Sequence, residues 1–142
     1  MSSHVLVPLD GSPTADEALV HALETFDCRV TVLNVVTPID GAMSEGGVLT
    51  DDGDRRTAAL DRADTLLETA RRRATAAGQE VETAVETGDP AETILDYAAD
   101  AGVDHIVMGG HGGPRGGVTE RLLGTVATTV VDNARTTVTV VR

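Results

Sequence analysis

The strand-like run His105-Ile106-Val107-Met108 passes straight into Gly109-Gly110-His111-Gly112-Gly113-Pro114-Arg115-Gly116-Gly117. After Leu122-Leu123-Gly124-Thr125, apolar residues return at helical spacing as Val126, Ala127, Val130, Val131 and Ala134. A glycine-rich loop thus leaves a buried strand and ends where a helix begins. Glycine lets backbone N–H groups approach a ligand with no Cβ in the way. A helix N-terminus adds free N–H groups and positive dipole charge. The combination predicts a phosphate cradle, and with it a nucleotide-binding α/β chain.

The rest of the chain alternates in the same manner. His4 to Leu9 predicts a first strand. Ser12-Pro13 then supplies an N-cap followed by proline at the first helical position. Ala15, Ala18, Leu19, Ala22, Leu23 and Phe26 form one apolar stripe, and residues 29–36 (RVTVLNVV) predict a second strand. Residues 37–55 have the composition of a loop, with four glycines and the acidic stretch Asp51-Asp52-Gly53-Asp54. A long helix is expected from there to about Ala77, stopped by Gly78. Residues 79–86 predict a third strand. Asp89-Pro90-Ala91-Glu92 has the form of a capping box before a helix ending near Gly102. Residues 104–108 and 136–141 predict the fourth and fifth strands. This β-α alternation implies a mostly parallel sheet with helices on both faces. The residues leave two strand orders open, 2-1-3-4-5 and 3-2-1-4-5. In the second, the order reverses between the first and fourth strands, which would set Asp10 beside the glycine loop at the switch point.

Composition narrows the function. The chain has 142 residues, predicting one domain over 1–142, and no apolar run approaches the ~20 residues of a membrane span. The start Met1-Ser2-Ser3 has no basic region and predicts no secretory signal. A single cysteine, Cys28, fits a reducing cytoplasm. The net charge of −12 argues against a nucleic-acid partner, which needs a basic face. All basic residues are arginine, and Phe26 and Tyr97 are the only aromatics. Acidic excess without lysine is the composition expected of a halophile's cytoplasm, where carboxylates keep a protein soluble and salt screens their repulsion.

Several motifs together resemble the universal stress protein family over nearly the whole chain. They are Val5-Leu6-Val7-Pro8-Leu9-Asp10-Gly11-Ser12, the second strand Thr31 to Val36, Gly88-Asp89-Pro90, Val107-Met108-Gly109-Gly110-His111-Gly112, Leu122-Leu123-Gly124-Thr125-Val126-Ala127 and the closing Val138 to Arg142. The resemblance implies a Rossmann-like, doubly wound, five-stranded parallel sheet of order 3-2-1-4-5. It also implies ATP with Mg²⁺, held by a Gly-x2-Gly-x9-Gly-(Ser/Thr) motif. Here Gly109, Gly112, Gly124 and Thr125 match, but eleven residues separate Gly112 from Gly124. The simplest alignment pairs Arg115 with a family arginine and leaves Gly113-Pro114 as an insertion. By the same resemblance Pro8, Leu9 and Asp10 would lie at the adenine and ribose end, Val35 would line the base pocket, and Met108 and Gly109 would pack near the ribose. Gly112, Arg115, Gly124 and Thr125 would meet the phosphates. The family also implies a homodimer, paired antiparallel through Thr137 to Val141.

Competing chemistries lack their residues. A Walker loop needs a lysine, and the dinucleotide Gly-x-Gly-x-x-Gly does not follow the first strand. His111 has no nucleophile with a defined partner, so no catalytic residue is assigned. His4, His21 and His105 lack metal-ligand spacing. The expected protein is therefore a cytoplasmic, ATP-binding switch or sensor of the stress response. The alternatives are a family member that has lost its nucleotide through the insertion and acts as a dimeric interaction module, and a slow ATP hydrolase.

Overall fold

The computed structural model describes residues 3–37, 51–110 and 124–142, and for residues 51–56 the backbone alone. Along the chain run β1 (His4–Pro8), α1 (Pro13–Thr25), β2 (Arg29–Val36), α2 (Asp51–Ala76), β3 (Glu82–Thr87), α3 (Pro90–Asp100), β4 (His105–Gly109), α4 (Thr125–Asn133) and β5 (Thr137–Val141). The strands form one sheet in the order β3-β2-β1-β4-β5. Every pairing is parallel. Of the two orders open in the sequence, the one implied by the family resemblance is therefore the one found.

Period-two alternation divides the core between the two faces of the sheet. Val5, Val7, Val30, Val32 and Val107 pack on one face against α1 and α2, through Ala15, Ala18, Leu19, Ala22, Leu67, Ala70 and Ala74. Leu6, Leu33, Ile106 and Met108 pack on the other against α3 and α4, through Ala91, Ile94, Ala98, Ala127 and Val130. Alanine-rich helix faces let the helices approach closely, while the large side chains come mainly from the strands. Leu6, Leu33 and Ile106 have no exposed surface, and burial of each contributes roughly 1.5–3 kcal/mol.

Two expected boundaries move. The helix expected after about Arg55 begins at Asp51, so residues 51–55 are helical rather than loop. A single glycine costs a helix interior only about 1 kcal/mol relative to alanine, so Gly53 does not break it. The third strand runs from Glu82 rather than Gln79. Gln79 is held by the helix that precedes it: its N–H donates to the Ala74 carbonyl at 2.8 Å, and Gly78 takes a left-handed φ of +79°. Its side-chain Nε2 also donates to the Leu23 carbonyl at 2.5 Å. The 38–50 part of the expected loop lies outside the described residues.

Candidate functional site

Because the order reverses between β1 and β4, their carboxyl ends diverge and leave a cleft. A cavity of about 210 Å³ opens there. Each described residue of the expected site lines it: Pro8, Leu9, Asp10, Val35, Met108, Gly109, Gly124 and Thr125. Gly112 and Arg115, with His111 and the Gly113-Pro114 insertion, lie outside the described residues.

The cavity lining mixes apolar and polar residues. Leu33, Val35, Ile94, Pro90 and Met108 supply a surface suited to a flat ring, and Asp10, Ser12, Gly110, Gly124 and Thr125 supply polar groups. The floor is pinned by hydrogen bonds between β1 and β2. The Leu9 N–H donates to the Leu33 carbonyl at 2.8 Å. The buried Asn34 donates Nδ2 to the Leu9 carbonyl at 2.7 Å. Asp10 Oδ1 accepts the Ser12 N–H at 2.9 Å, so this carboxylate shapes the turn into α1. A carboxylate accepts several hydrogen bonds, which leaves capacity for a ligand hydroxyl.

Four helices start at this end of the sheet, and the caps of α1, α3 and α4 differ. At α1, Ser12 Oγ accepts the Ala15 N–H at 3.2 Å. At α3, Asp89 Oδ2 accepts the Glu92 N–H at 3.0 Å. At α4 the N-cap is Gly124, and among the described residues no side chain makes a cap hydrogen bond to the helix. Its first-turn N–H groups are the orphan donors every helix presents. Thr125, Val126 and Ala127, which carry them, line the cavity. The glycine loop is anchored at both described ends: Gly110 N–H donates to the Val141 carbonyl at 2.7 Å, and Gly124 N–H to the Gly110 carbonyl at 2.5 Å.

Sequence reasoning missed Leu33, Pro90 and Ile94 as lining residues. Each carries the periodicity of an ordinary core or cap position, and only the strand order reveals that they face the cleft. Among the described residues no three His, Cys, Asp or Glu side chains converge on a metal position. Arg71 and Arg72 lie beside Glu68 at 3.0 and 3.5 Å on an exposed helix face, as a solvated basic run would.

An open parallel sheet with helices on both faces, and a cleft at its switch point beside the start of α4, defines a doubly wound α/β fold. The chain belongs to the universal stress protein family, whose family model matches residues 1–142. It is 31% identical to universal stress protein MJ0531 of Methanocaldococcus jannaschii, over 97% of this chain and 81% of that protein. The solved structure of hypothetical protein MJ0577 superposes with a TM-score of 0.82 at 28% identity, over 99% of this chain and 96% of the other. A universal stress protein family member from Arabidopsis thaliana with AMP bound superposes with a TM-score of 0.70 at 21% identity, over 98% and 90%.

Proposed function

We propose that this protein binds an adenine nucleotide, ATP with Mg²⁺, in the cleft between β1 and β4, and acts as a nucleotide-dependent switch or sensor in the stress response. The observation that carries the reading is the contrast in helix caps. At α1 and α3 a side chain caps one first-turn N–H, whereas at α4, which follows the glycine loop, no described side chain does, and its turn is open to a ligand. The same cavity is lined by Leu33, Val35, Ile94 and Met108, apolar side chains of a kind that takes a base. The AMP-bound Arabidopsis relative makes an adenine nucleotide the first ligand to test.

In this reading Leu33, Val35, Ile94 and Met108 hold the base, and Pro8, Leu9, Asp10 and Gly109 border the ribose. Gly112, Arg115, Gly124 and Thr125 meet the phosphates. Mg²⁺ enters with the phosphate oxygens and keeps most of its waters, so it needs no acidic cluster from the protein. A ligand that binds one state better than another shifts the balance between them, which is all a switch requires. The chain works as one cytoplasmic domain, a homodimer paired through Thr137 to Val141, adapted to high salt. No described helix is long and apolar enough to cross a membrane.

The test is mass spectrometry of nucleotide released from freshly purified protein, with ATP titration by calorimetry at molar salt. About one nucleotide per chain is the expected result. An empty protein that also ignores added ATP overturns the reading and favours the dimeric interaction module. Phosphate release that vanishes in Gly124→Glu would favour a slow hydrolase.

A further inference from the structure

We infer that Arg142, the residue after β5, is a further cation, besides Arg115, that meets the outer phosphates of the bound nucleotide, an inference that rests on the nucleotide reading above. The starting point is charge. Among the described residues lining the cavity, Asp10 carries the one formal charge, and it is negative. The whole chain carries −12. A polyphosphate entering such a field is repelled unless a cation stands at the phosphate end.

The backbone brings the chain's last residue to that end. Gly110 N–H bonds the Val141 carbonyl and the Gly110 carbonyl accepts the Gly124 N–H, which ties the end of β5 to the start of α4 through a single residue. Gly110 lines the cavity and is bare of side chain. A Cβ built there would lie 3.3 Å from Val140 Cγ1 and 3.5 Å from Arg142 Cγ. The Arg142 stem thus lies over the face that a side chain of Gly110 would occupy. Among the described residues Arg142 makes no ion pair, and neither do Arg62, Arg73 and Arg135; what sets Arg142 apart is its approach to Gly110 of the cavity lining, whereas Arg62 lines a second cavity with Asp10 and Gly11. A guanidinium presents a planar fork of donors that matches two phosphate oxygens at once. Beside the N–H groups of Thr125 and Val126 it would complete a cradle that the helix start alone leaves without formal positive charge.

The experiment is calorimetric titration of the full chain with adenosine, AMP, ADP and ATP at fixed ionic strength, for the wild type, Arg142→Gln, Arg142→Lys and Arg135→Gln. Arg135 follows α4 at the opposite end of the sheet and controls for the loss of one positive charge. Arg142→Gln is expected to weaken ATP about tenfold, in line with a lost charge-assisted hydrogen bond, and to leave adenosine unchanged. Arg142→Lys recovers part of the loss, and Arg135→Gln matches the wild type. Equal weakening of adenosine and ATP, or ATP binding unaffected by Arg142→Gln, overturns the inference. A wild type that binds ATP more tightly than adenosine, with Arg142→Gln unchanged, removes the role of Arg142 and keeps the nucleotide reading; equal binding of the two by the wild type removes the phosphate cradle as well. A wild type that binds none of the four ends both.

Discussion

Gly109 ends β4 directly against the first turn of α1: a Cβ on it would come within 2.6 Å of Thr14 Oγ1 and 2.7 Å of the Ala15 nitrogen. The absence of a side chain there lets the start of α1 close one wall of the cleft, where Ser12 and Ala15 line the cavity beside Gly109. Gly109→Ala must push α1 outward. The expected cost is about 1–3 kcal/mol in urea unfolding, with weaker nucleotide binding. Gly102→Ala is the comparison. Gly102 has a φ of +68° and nothing within 4 Å of a Cβ, so alanine costs roughly 1–2 kcal/mol in backbone strain alone. Binding should survive Gly102→Ala. Equal loss of affinity in the two variants would contradict the close approach at Gly109.

Thr125 separates the roles of hydroxyl and backbone at the start of α4. It is exposed and lines the cavity. Thr125→Val keeps the shape and the N–H while removing the hydroxyl. ATP affinity is expected to fall by a factor of about five, near the 1 kcal/mol worth of one hydrogen bond. Adenosine affinity and the melting temperature should hold. A matching loss for adenosine would show that the hydroxyl faces the sugar or base rather than the phosphates.

Two groups predict a fold that weakens in acid. The hydrogen bonds from Arg29 Nε to Glu82, at 3.1 and 3.2 Å, hold the Glu82 carboxyl below its usual range. A depressed native pKa stabilises above the unfolded pKa and is lost as pH falls through the native one. Both side chains are about half exposed, so solvent keeps this contribution small. His105 is partly buried, with the Phe26 ring 4.8 Å away and Thr139 Oγ1 at 2.7 Å from Nε2. Burial, and then the charge of His21, lowers its pKa. The unfolded imidazole therefore takes its proton first, near pH 6.5, and stability drops from there as pH falls towards the native pKa. In urea unfolding, His105→Gln should flatten the decline that sets in below about pH 6.5, and Glu82→Gln the part in the carboxylate range. A decline below neutrality left unchanged by His105→Gln would assign it to other groups.

Where chemistry is local, the sequence foretold the structure closely. Ser12 before Pro13 and Asp89 before Pro90 start α1 and α3 with the side-chain caps their residue types require. The run RVTVLNVV is β2 from end to end. Where position depends on tertiary contacts, the sequence said less. Gln79 carries a strand-like alternation but is tied back to Ala74 and Leu23, which no periodicity announces. Strand order came from family resemblance, because β1 pairs with β4 across a separation of about a hundred residues that leaves no local trace. The cleft follows the same division. Gly109, Gly124 and Thr125 advertise themselves as a loop and a helix start. Ile94 and Leu33 look like any core residue until the reversal at β1 and β4 turns them towards a ligand.

The outer edge of β5 provides the test of assembly. The sheet ends at β5, which pairs with β4 on one side. Val141 turns its carbonyl to Gly110 and so faces β4. Along a strand, successive residues turn their N–H and C=O groups to opposite sides. Thr139 therefore also faces β4, while Val138 and Val140 present their backbone outward. An antiparallel second copy would pair with those outward groups and create a two-fold interface in which each strand meets itself. Val140→Pro removes one outward donor at a position where an edge strand tolerates proline. Sedimentation should show a dimer for the wild type and a monomer for Val140→Pro, with the helical circular dichroism retained. Thr139→Pro strikes the β4 side instead and should lower the melting temperature. A Val140→Pro protein that still sediments as a dimer would move the interface away from β5, and with it any link between self-association and the loop that Gly110 anchors to Val141.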